Sequence, residues 1–162
     1  MERLLPLAGE VAALLKKRGE TLALSESSMG GLVSAALVAQ PGASAFYLGS
    51  TVIYTREGAK ALYALQGPPA PDVKPLTEPY AAAMAEIVRA KFGSTWALAE
   101  MGAAGPSGSP YGPGPGTAVI GLSGPHPASI TLSTGSADRV ANMRAFAKGA
   151  LERLREALTR AG

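Results

Sequence analysis

Apolar residues recur along this chain at two spacings, one typical of amphipathic helices and the other of short buried strands. The helical spacing predicts helices over residues 3–18, 30–39, 57–65, 78–92 and 137–160. Runs rich in apolar and β-branched residues predict strands over residues 21–25, 45–55, 95–101, 117–123 and 128–134. Helices therefore alternate with strands until the last two strands, which the short segment "GPHP" joins in the manner of a hairpin.

This order of elements is typical of an α/β layered fold with a mixed sheet. We predict an α/β protein, a three-layer α/β/α sandwich with a mixed, mostly parallel sheet. The 162 residues contain no internal repeat and no second domain, so we expect a single domain over residues 1–162. The segment "QGPPAPDVKP" (Gln66–Pro75) predicts a loop, and Thr77 is the predicted N-cap of the helix that follows it.

Composition narrows the class of protein. Hydrophobic residues make up 47% of the chain and charged residues 17%, which is ordinary for a globular protein. No apolar run is long enough to span a bilayer, and the N-terminal segment mixes acidic and basic residues, unlike a signal peptide. The net charge of +3 is scattered and not interleaved with aromatic residues. We therefore expect a soluble cytoplasmic protein whose partners include no nucleic acid and no membrane.

Cysteine is absent, and His126 is the only histidine. Disulfides, thiolate chemistry and cysteine-ligated metals are thereby excluded, as is a multi-histidine metal site within one chain. His126 lies between prolines in "SGPHPAS", which predicts an exposed turn rather than a catalytic base. The sequence thus indicates no metal and no cofactor.

Two segments are candidates for chemistry, because each follows a predicted strand of an α/β sheet. The first is "LSESSMGG" (Leu24–Gly31), which opens a helix, and the second is the glycine- and proline-rich run Met101–Thr117. Glycine-rich turns present backbone N–H groups that hold anions, although neither segment has a strict phosphate-binding fingerprint. The alternative interpretations are a strand-to-helix turn with surplus capping groups and a surface loop.

A nucleophilic serine in the first segment would need a base, and His126 is a poor candidate. The segment "VIYTREGAK" offers Tyr54 and Lys60 at a strand–helix junction. A lysine deprotonated by burial can activate a serine hydroxyl. A solvated helix lysine is the ordinary interpretation of Lys60.

The order of these motifs resembles the C-terminal domain family of the competence/damage-inducible protein CinA. The family's "AESCTGG" is similar to Ser25–Gly31, its "VTYSNEAK" to the end of Phe46–Lys60, and its "SGIAGPxGG…KPxGTV" to Met101–Val119. Its "SEP…MA" is similar to Thr77–Ala85, and its "GDR" more loosely to Leu132–Arg139. Active members are nicotinamide-nucleotide amidohydrolases, which convert nicotinamide mononucleotide to nicotinic acid mononucleotide and ammonia.

Carried over residue by residue, the resemblance implies that Ser27 attacks the amide and that a lysine with a nearby tyrosine activates it. Tyr54 and Lys60 are the candidates for these activating partners. The glycine turns would supply contacts to an oxyanion and a phosphate. The substrate-binding residues that the resemblance implies are Glu26, Ser28, Gly30, Gly31, Thr77, Gly102, Gly105, Gly108, Thr117 and Arg139.

The chain departs from the family pattern at several polar positions. Ungapped alignment places Ala59 at the family's lysine, with Lys60 one residue further along. The remaining departures are Ser28 for cysteine, Met29 for threonine, Ser107 for aspartate and Pro113 for lysine. Glycines of the scaffold persist while polar positions change, and a fold can persist when its site does not.

Two hypotheses follow. The first is a divergent amidohydrolase that uses Ser27 on nicotinamide mononucleotide or a similar small-molecule nucleotide. The second is a catalytically impaired relative that acts as a nucleotide-binding or assembly protein. Homo-oligomerisation is left open by both hypotheses.

Overall fold

A computed structural model describes residues 1–66 and 72–161. The helices are α1 (Leu5–Arg18), α2 (Leu32–Val38), α3 (Arg56–Gln66), α4 (Glu78–Phe92) and α5 (Arg139–Arg160). The strands are β1 (Leu22–Glu26), β2 (Tyr47–Val52), β3 (Trp96–Ala103), β4 (Thr117–Ser123) and β5 (Ala128–Ser133). Short 3₁₀ turns occupy Glu2–Leu4 and Ala43–Ala45. Part of the predicted loop Gln66–Pro75, residues 67–71, lies outside the described residues.

The five strands form one mixed sheet in the order β2-β1-β3-β4-β5. Strand β1 pairs in parallel with both β2 and β3, whereas β4 runs antiparallel to β3 and to β5. The predicted hairpin between β4 and β5 is thus confirmed. Since β1, β2 and β3 point the same way, their carboxyl ends meet at one edge of the sheet, where parallel-stranded folds bind ligands.

Helices cover both faces of the sheet, which confirms the predicted three layers. On one face, α1, α2 and α5 bury the side chains that alternate along the strands, including Leu22, Leu24, Trp96 and Leu98. On the other face, α4 packs on Ala23, Ala97, Ala99 and Val119. Small residues on the α4 face let this helix approach the sheet closely.

Local capping fixes where the helices around the cleft begin. The Thr77 hydroxyl accepts a hydrogen bond from the Tyr80 N–H (3.4 Å), so Thr77 is the N-cap of α4, as predicted. The Asp138 carboxylate accepts from the Ala141 N–H (3.0 Å) and caps α5. Helix α5 therefore begins at Arg139, two residues later than the periodicity indicates.

Two details differ from the sequence-based expectations. Strand β3 continues to Ala103 rather than ending at residue 101, so Gly102 and Ala103 of the glycine- and proline-rich run are paired with β4. Val140, which the helical spacing places on the apolar side of α5, is 54% exposed because it lies in the first turn, beyond the core. No helix within the described ranges is long and apolar enough to cross a membrane.

Candidate active site

A cleft of about 980 Å³ opens at the carboxyl ends of β1 and β3. Its walls come from the end of β1, the β2–α3 junction, the first half of α4 and the glycine- and proline-rich loop after β3. The polar and charged residues that line it include Glu26, Ser27, Tyr54, Arg56, Tyr80, Glu100, Ser107, Tyr111 and Arg139. The cleft therefore joins the two segments that the sequence singles out.

Ser27 is the first residue of the turn that follows β1, and it lines the cleft. The turn closes through a hydrogen bond from the Gly30 N–H to the Ser27 carbonyl (3.1 Å). Gly30 (φ 65°) and Gly31 (φ 88°) adopt left-handed backbone, which glycine tolerates without a steric penalty. Within the described residues, the Ser27 hydroxyl makes no hydrogen bond, so it is available to a ligand in the cleft.

Glu100 lies directly beneath this turn, although it belongs to none of the motifs that the sequence singles out. Its Oε2 atom accepts hydrogen bonds from the Ser27 N–H (2.9 Å) and the Met29 N–H (3.1 Å), and its Oε1 atom accepts from the Ser28 hydroxyl. The side chain is 5% exposed. Burial raises the pKa of Glu100 to about 7, and the hydrogen bonds from Ser28, Ser27 and Met29 partly offset that rise.

Close approach beneath the turn requires glycine at position 102. A Cβ atom there would lie 3.1 Å from Glu100 Oε1 and 3.0 Å from Ala118 Cβ, and closer still to Ser28 Oγ. These distances are shorter than ordinary van der Waals contact. Gly102 thus lines the cleft and makes room for the Ser28–Glu100 pair, whereas Ser28 itself is buried.

Glu26 fills a similar role at the start of α2. Its carboxylate accepts hydrogen bonds from the Val33 N–H (3.3 Å), the Ser34 N–H (2.8 Å) and the Ser34 hydroxyl. The anion-holding N–H groups expected in this turn and at the helix start are therefore engaged by two carboxylates of the chain itself. An anionic group of a ligand must find its partners elsewhere in the cleft.

Two arginine–tyrosine pairs lie at the mouth of the cleft. Arg139 donates to the Gly105 carbonyl (2.6 Å) and to the Tyr54 hydroxyl, and its guanidinium carbon is 5.5 Å from the centre of the Tyr54 ring. Arg56 lies 5.7 Å from the centre of the Tyr111 ring. Both arginines are exposed, and they are the cations that line the cleft within the described residues.

The structure brings together only part of the residue set that the family resemblance implies. Glu26, Ser27, Tyr54, Gly102, Gly105, Gly108 and Arg139 line the cleft, as does Ala59. Ser28, Gly30, Gly31, Lys60, Thr77 and Thr117 lie outside its lining. Lys60 is exposed on α3, so the described part of the cleft lining contains no lysine. Met29, which replaces the family's threonine, is fully buried in the core.

Asn142 is a second residue near the site that belongs to none of the sequence motifs. Its side-chain amide is buried and donates to the carbonyls of Ala104 and Ser136, both at 2.8 Å. It thereby ties the loop after β3 to α5. Two sequence features could have identified these residues: Asn142 is a polar residue on the apolar side of a helix, and Glu100 is an acid within an apolar strand. A buried polar side chain in either place requires a hydrogen-bonding partner.

The fold and the cleft define an α/β domain with a polar cleft at the carboxyl ends of its parallel strands, where Ser27 lies on the turn after β1 and two arginines lie at the mouth. The chain belongs to the CinA C-terminal domain family, whose sequence pattern matches residues 4–158. This confirms the family that the motifs indicate.

Curated relatives carry the name CinA-like protein. The relative from Gloeobacter violaceus is 40% identical over 119 residues, which are 74% of this chain and 28% of the relative. The relative from Desulfosudis oleivorans is 35% identical over 155 residues, 95% of this chain and 38% of the relative. This chain therefore spans less than half the length of these relatives.

Solved structures of the same superfamily share the fold. The CinA superfamily protein from Klebsiella pneumoniae has a TM-score of 0.82 at 25% identity, with 96% of this chain and 97% of that chain covered. The competence or damage-inducible protein from Enterobacter asburiae has a TM-score of 0.84 at 25% identity, with 94% and 96% covered.

Proposed function

We propose that this protein hydrolyses the carboxamide of nicotinamide mononucleotide, releasing nicotinic acid mononucleotide and ammonia. The observation that carries the proposal is the polarity of the cleft around Ser27. Glu26 and Glu100 lie at the buried end beside Ser27, whereas Arg56 and Arg139 lie at the exposed mouth.

The proposed substrate has the complementary polarity. Its pyridinium ring is cationic and carries the carboxamide, and its phosphate is anionic. Placing the ring at the buried end brings the carboxamide to Ser27 and the phosphate to the arginines, which are suited to bind phosphate oxygens. The opposite orientation would place the phosphate beside two carboxyl groups.

In the proposed reaction, the Ser27 Oγ attacks the carboxamide carbon and forms a tetrahedral intermediate. Collapse of the intermediate breaks the C–N bond, and the leaving nitrogen takes up the proton that the Ser27 hydroxyl lost on attack and departs as ammonia. Water then cleaves the resulting ester, which restores the Ser27 hydroxyl and releases the carboxylic acid. Tyr54, whose hydroxyl lies in the cleft wall, and Lys60 are the activating groups that the family resemblance suggests.

The second candidate function is nucleotide binding without catalysis, in which the domain serves in assembly. The observation that favours it is the position of Lys60, because Ala59 and not Lys60 faces the cleft in the described part of the chain. A displaced base typically lowers a rate by about 10²- to 10⁴-fold.

The two functions separate in one experiment. Ammonia release is measured with nicotinamide mononucleotide for the wild type, Ser27→Ala and the matched control Ser107→Ala, whose serine lines the same cleft outside the turn. The amidohydrolase loses roughly 10³-fold or more of its rate in Ser27→Ala and little in Ser107→Ala. Absence of ammonia release together with ligand-induced thermal stabilisation supports the binding function instead.

A further inference from the structure

We propose that Glu100 is a positioning residue, whose carboxyl group holds the Ser27–Met29 turn in the conformation that presents the Ser27 hydroxyl to the cleft. The role in turnover rests on the proposed function, whereas the effect on the turn does not.

The register of β1 against β3 places Glu100 close enough to hold the Ser27–Met29 turn. Ser25 on β1 is paired with Ala99 on β3, so Glu100 comes one residue beyond the last pair of these strands. Along β3, Trp96 and Leu98 face the layer of α1, α2 and α5, and the two-residue period puts Glu100 on that same face. The side chain thus emerges at the end of the sheet beneath the turn that leads from β1 to α2.

The three hydrogen bonds leave this turn little freedom. Two backbone N–H groups, from Ser27 and Met29, converge on the single atom Oε2, and the side chain between them is held by Oε1. Since the Ser27 N–H, the Ser27 carbonyl and the Met29 N–H are all hydrogen-bonded, the backbone on both sides of the Ser27 Cα–Cβ bond is restrained. The carboxyl group is buried, so water does not compete for these donors.

Protonation changes this arrangement. The carboxylate accepts all three hydrogen bonds as a charged acceptor. The neutral acid carries a proton, which Oε1 donates to Ser28 Oγ, and Oε2 becomes a weaker acceptor for the two N–H groups. Because burial raises the pKa of Glu100 to about 7, the change falls near neutral pH.

Other titratable and charged groups line the same cleft as this carboxyl group. They are Glu26 on β1, Tyr80 on α4, Arg139 at the start of α5, and Tyr54, Arg56 and Tyr111 in the walls of the cleft. The charge on Glu26 acts to raise the pKa of Glu100. On β4, the paired neighbour Ile120 is apolar.

Two substitutions separate the hydrogen bonds from the charge. In Glu100→Gln, the amide oxygen accepts from the two N–H groups and the amide nitrogen donates to Ser28, so the turn is retained without titration. Glu100→Ala removes all three bonds. The matched control is Glu86→Gln, since Glu86 also accepts from a serine hydroxyl, that of Ser123, but in an exposed position on α4.

The kinetic test compares the pH dependence of ammonia release. We expect the wild-type kcat to fall as pH drops below about 7, with KM changed little. Glu100→Ala lowers kcat by roughly 30-fold or more at pH 8, and Glu100→Gln restores most of that loss while abolishing the fall toward acid. A wild-type kcat in Glu100→Ala, or an unchanged acid limb in Glu100→Gln, would overturn the proposal.

A second readout does not depend on activity. In amide ¹⁵N–¹H spectra of the wild type, we expect the Ser27 and Met29 resonances to titrate together with a midpoint near pH 7. The titration disappears in Glu100→Gln and persists in Glu86→Gln. If ammonia is not released but the titration is present, the proposed function fails and the positioning role stands. If these amides do not titrate, the positioning role fails, whatever the activity.

Discussion

Arg139 bridges the mouth of the cleft to Tyr54, a residue 85 positions away in the sequence, by stacking on the ring and donating to its hydroxyl. Arg139 begins α5, whereas Tyr54 lies between β2 and α3. The same guanidinium also holds the Gly105 carbonyl of the loop after β3 (2.6 Å). One side chain therefore connects three walls of the site, and its charge stays at the opening.

The first prediction concerns this charge and that of Arg56. Arg56→Ala and Arg139→Ala should each raise KM for nicotinamide mononucleotide by about 10- to 100-fold, because a charge-assisted hydrogen bond contributes roughly 1.5–3 kcal/mol. Arg56→Ala should change KM little for nicotinamide riboside, which lacks the phosphate. Arg139→Ala should raise KM for the riboside as well, but less than for the nucleotide, because Arg139 also holds Gly105 and Tyr54 in the walls of the cleft. Steady-state kinetics with both compounds provide the measurement.

The control for the arginine variants is Arg144→Ala, which removes one exposed guanidinium from α5 away from the cleft lining. It reproduces the change in net charge without touching the site. Equal losses with the nucleotide and the riboside would contradict a phosphate site at the mouth.

The second prediction is that Glu100 makes the fold less stable as pH rises. The pKa of Glu100 is raised from 4.5 to about 7, so between these values the native state binds more protons than the unfolded state. Its contribution to stability therefore falls with rising pH across this window and levels off above it. Relative to the wild type, the free energy of unfolding of Glu100→Gln should rise by roughly 3 kcal/mol between pH 4 and pH 8. Urea unfolding at each pH measures the difference.

Glu86→Gln is the informative comparison, because Arg89 and Ser123 lower the pKa of Glu86 by hydrogen bonding. The stabilisation that its carboxylate supplies is present above the unfolded pKa and is lost as pH falls through the folded pKa. The pH dependence removed by Glu86→Gln thus has the opposite sign. A stability difference between Glu100→Gln and the wild type that does not vary with pH would refute the buried titration.

The third prediction concerns the space beneath the Ser27 turn. Gly102→Ala should destabilise the protein by about 1–3 kcal/mol, since the added methyl group presses on Ser28, Glu100 and Ala118. Its ligand affinity should fall as well, because the turn must shift. Gly114→Ala serves as the control in the same loop region, where a Cβ atom meets nothing within 4 Å. Thermal unfolding with and without ligand tests both effects. Equal melting temperatures of Gly102→Ala and Gly114→Ala would show that an added methyl group at position 102 meets no steric obstacle.

Much of the fold was predictable because its elements are encoded locally. The strand predicted over residues 21–25 is observed as β1 (Leu22–Glu26), and the Thr77 hydroxyl caps α4 as predicted. Both follow from apolar spacing and capping groups, which act within a few residues. Helix and strand ends shifted by one to three residues where pairing or capping overrode the spacing, as at Ala103 and Arg139.

The candidate site was predictable only in part. The motif order identifies the family and places Ser27 in a turn after a strand, and both follow from short-range sequence. Glu100 was not predicted as a site residue, although an acid on the same strand face as Trp96 and Leu98 requires a hydrogen-bonding partner when it is buried. The partner could not be named, since it lies 73 residues earlier in the chain.

By itself, the sequence determined the alternation of helices and strands, the family and the serine turn, because local spacing and motif order carry that information. Only the tertiary structure decided what surrounds Ser27. The parallel pairing of β1 with β3 brings Glu100 beneath the turn, and the course of α3 leaves Ala59 in the cleft wall and Lys60 outside it. These contacts join distant segments and depend on strand register and on the rotation of a helix about its axis. Neither can be predicted from a single short segment of the chain.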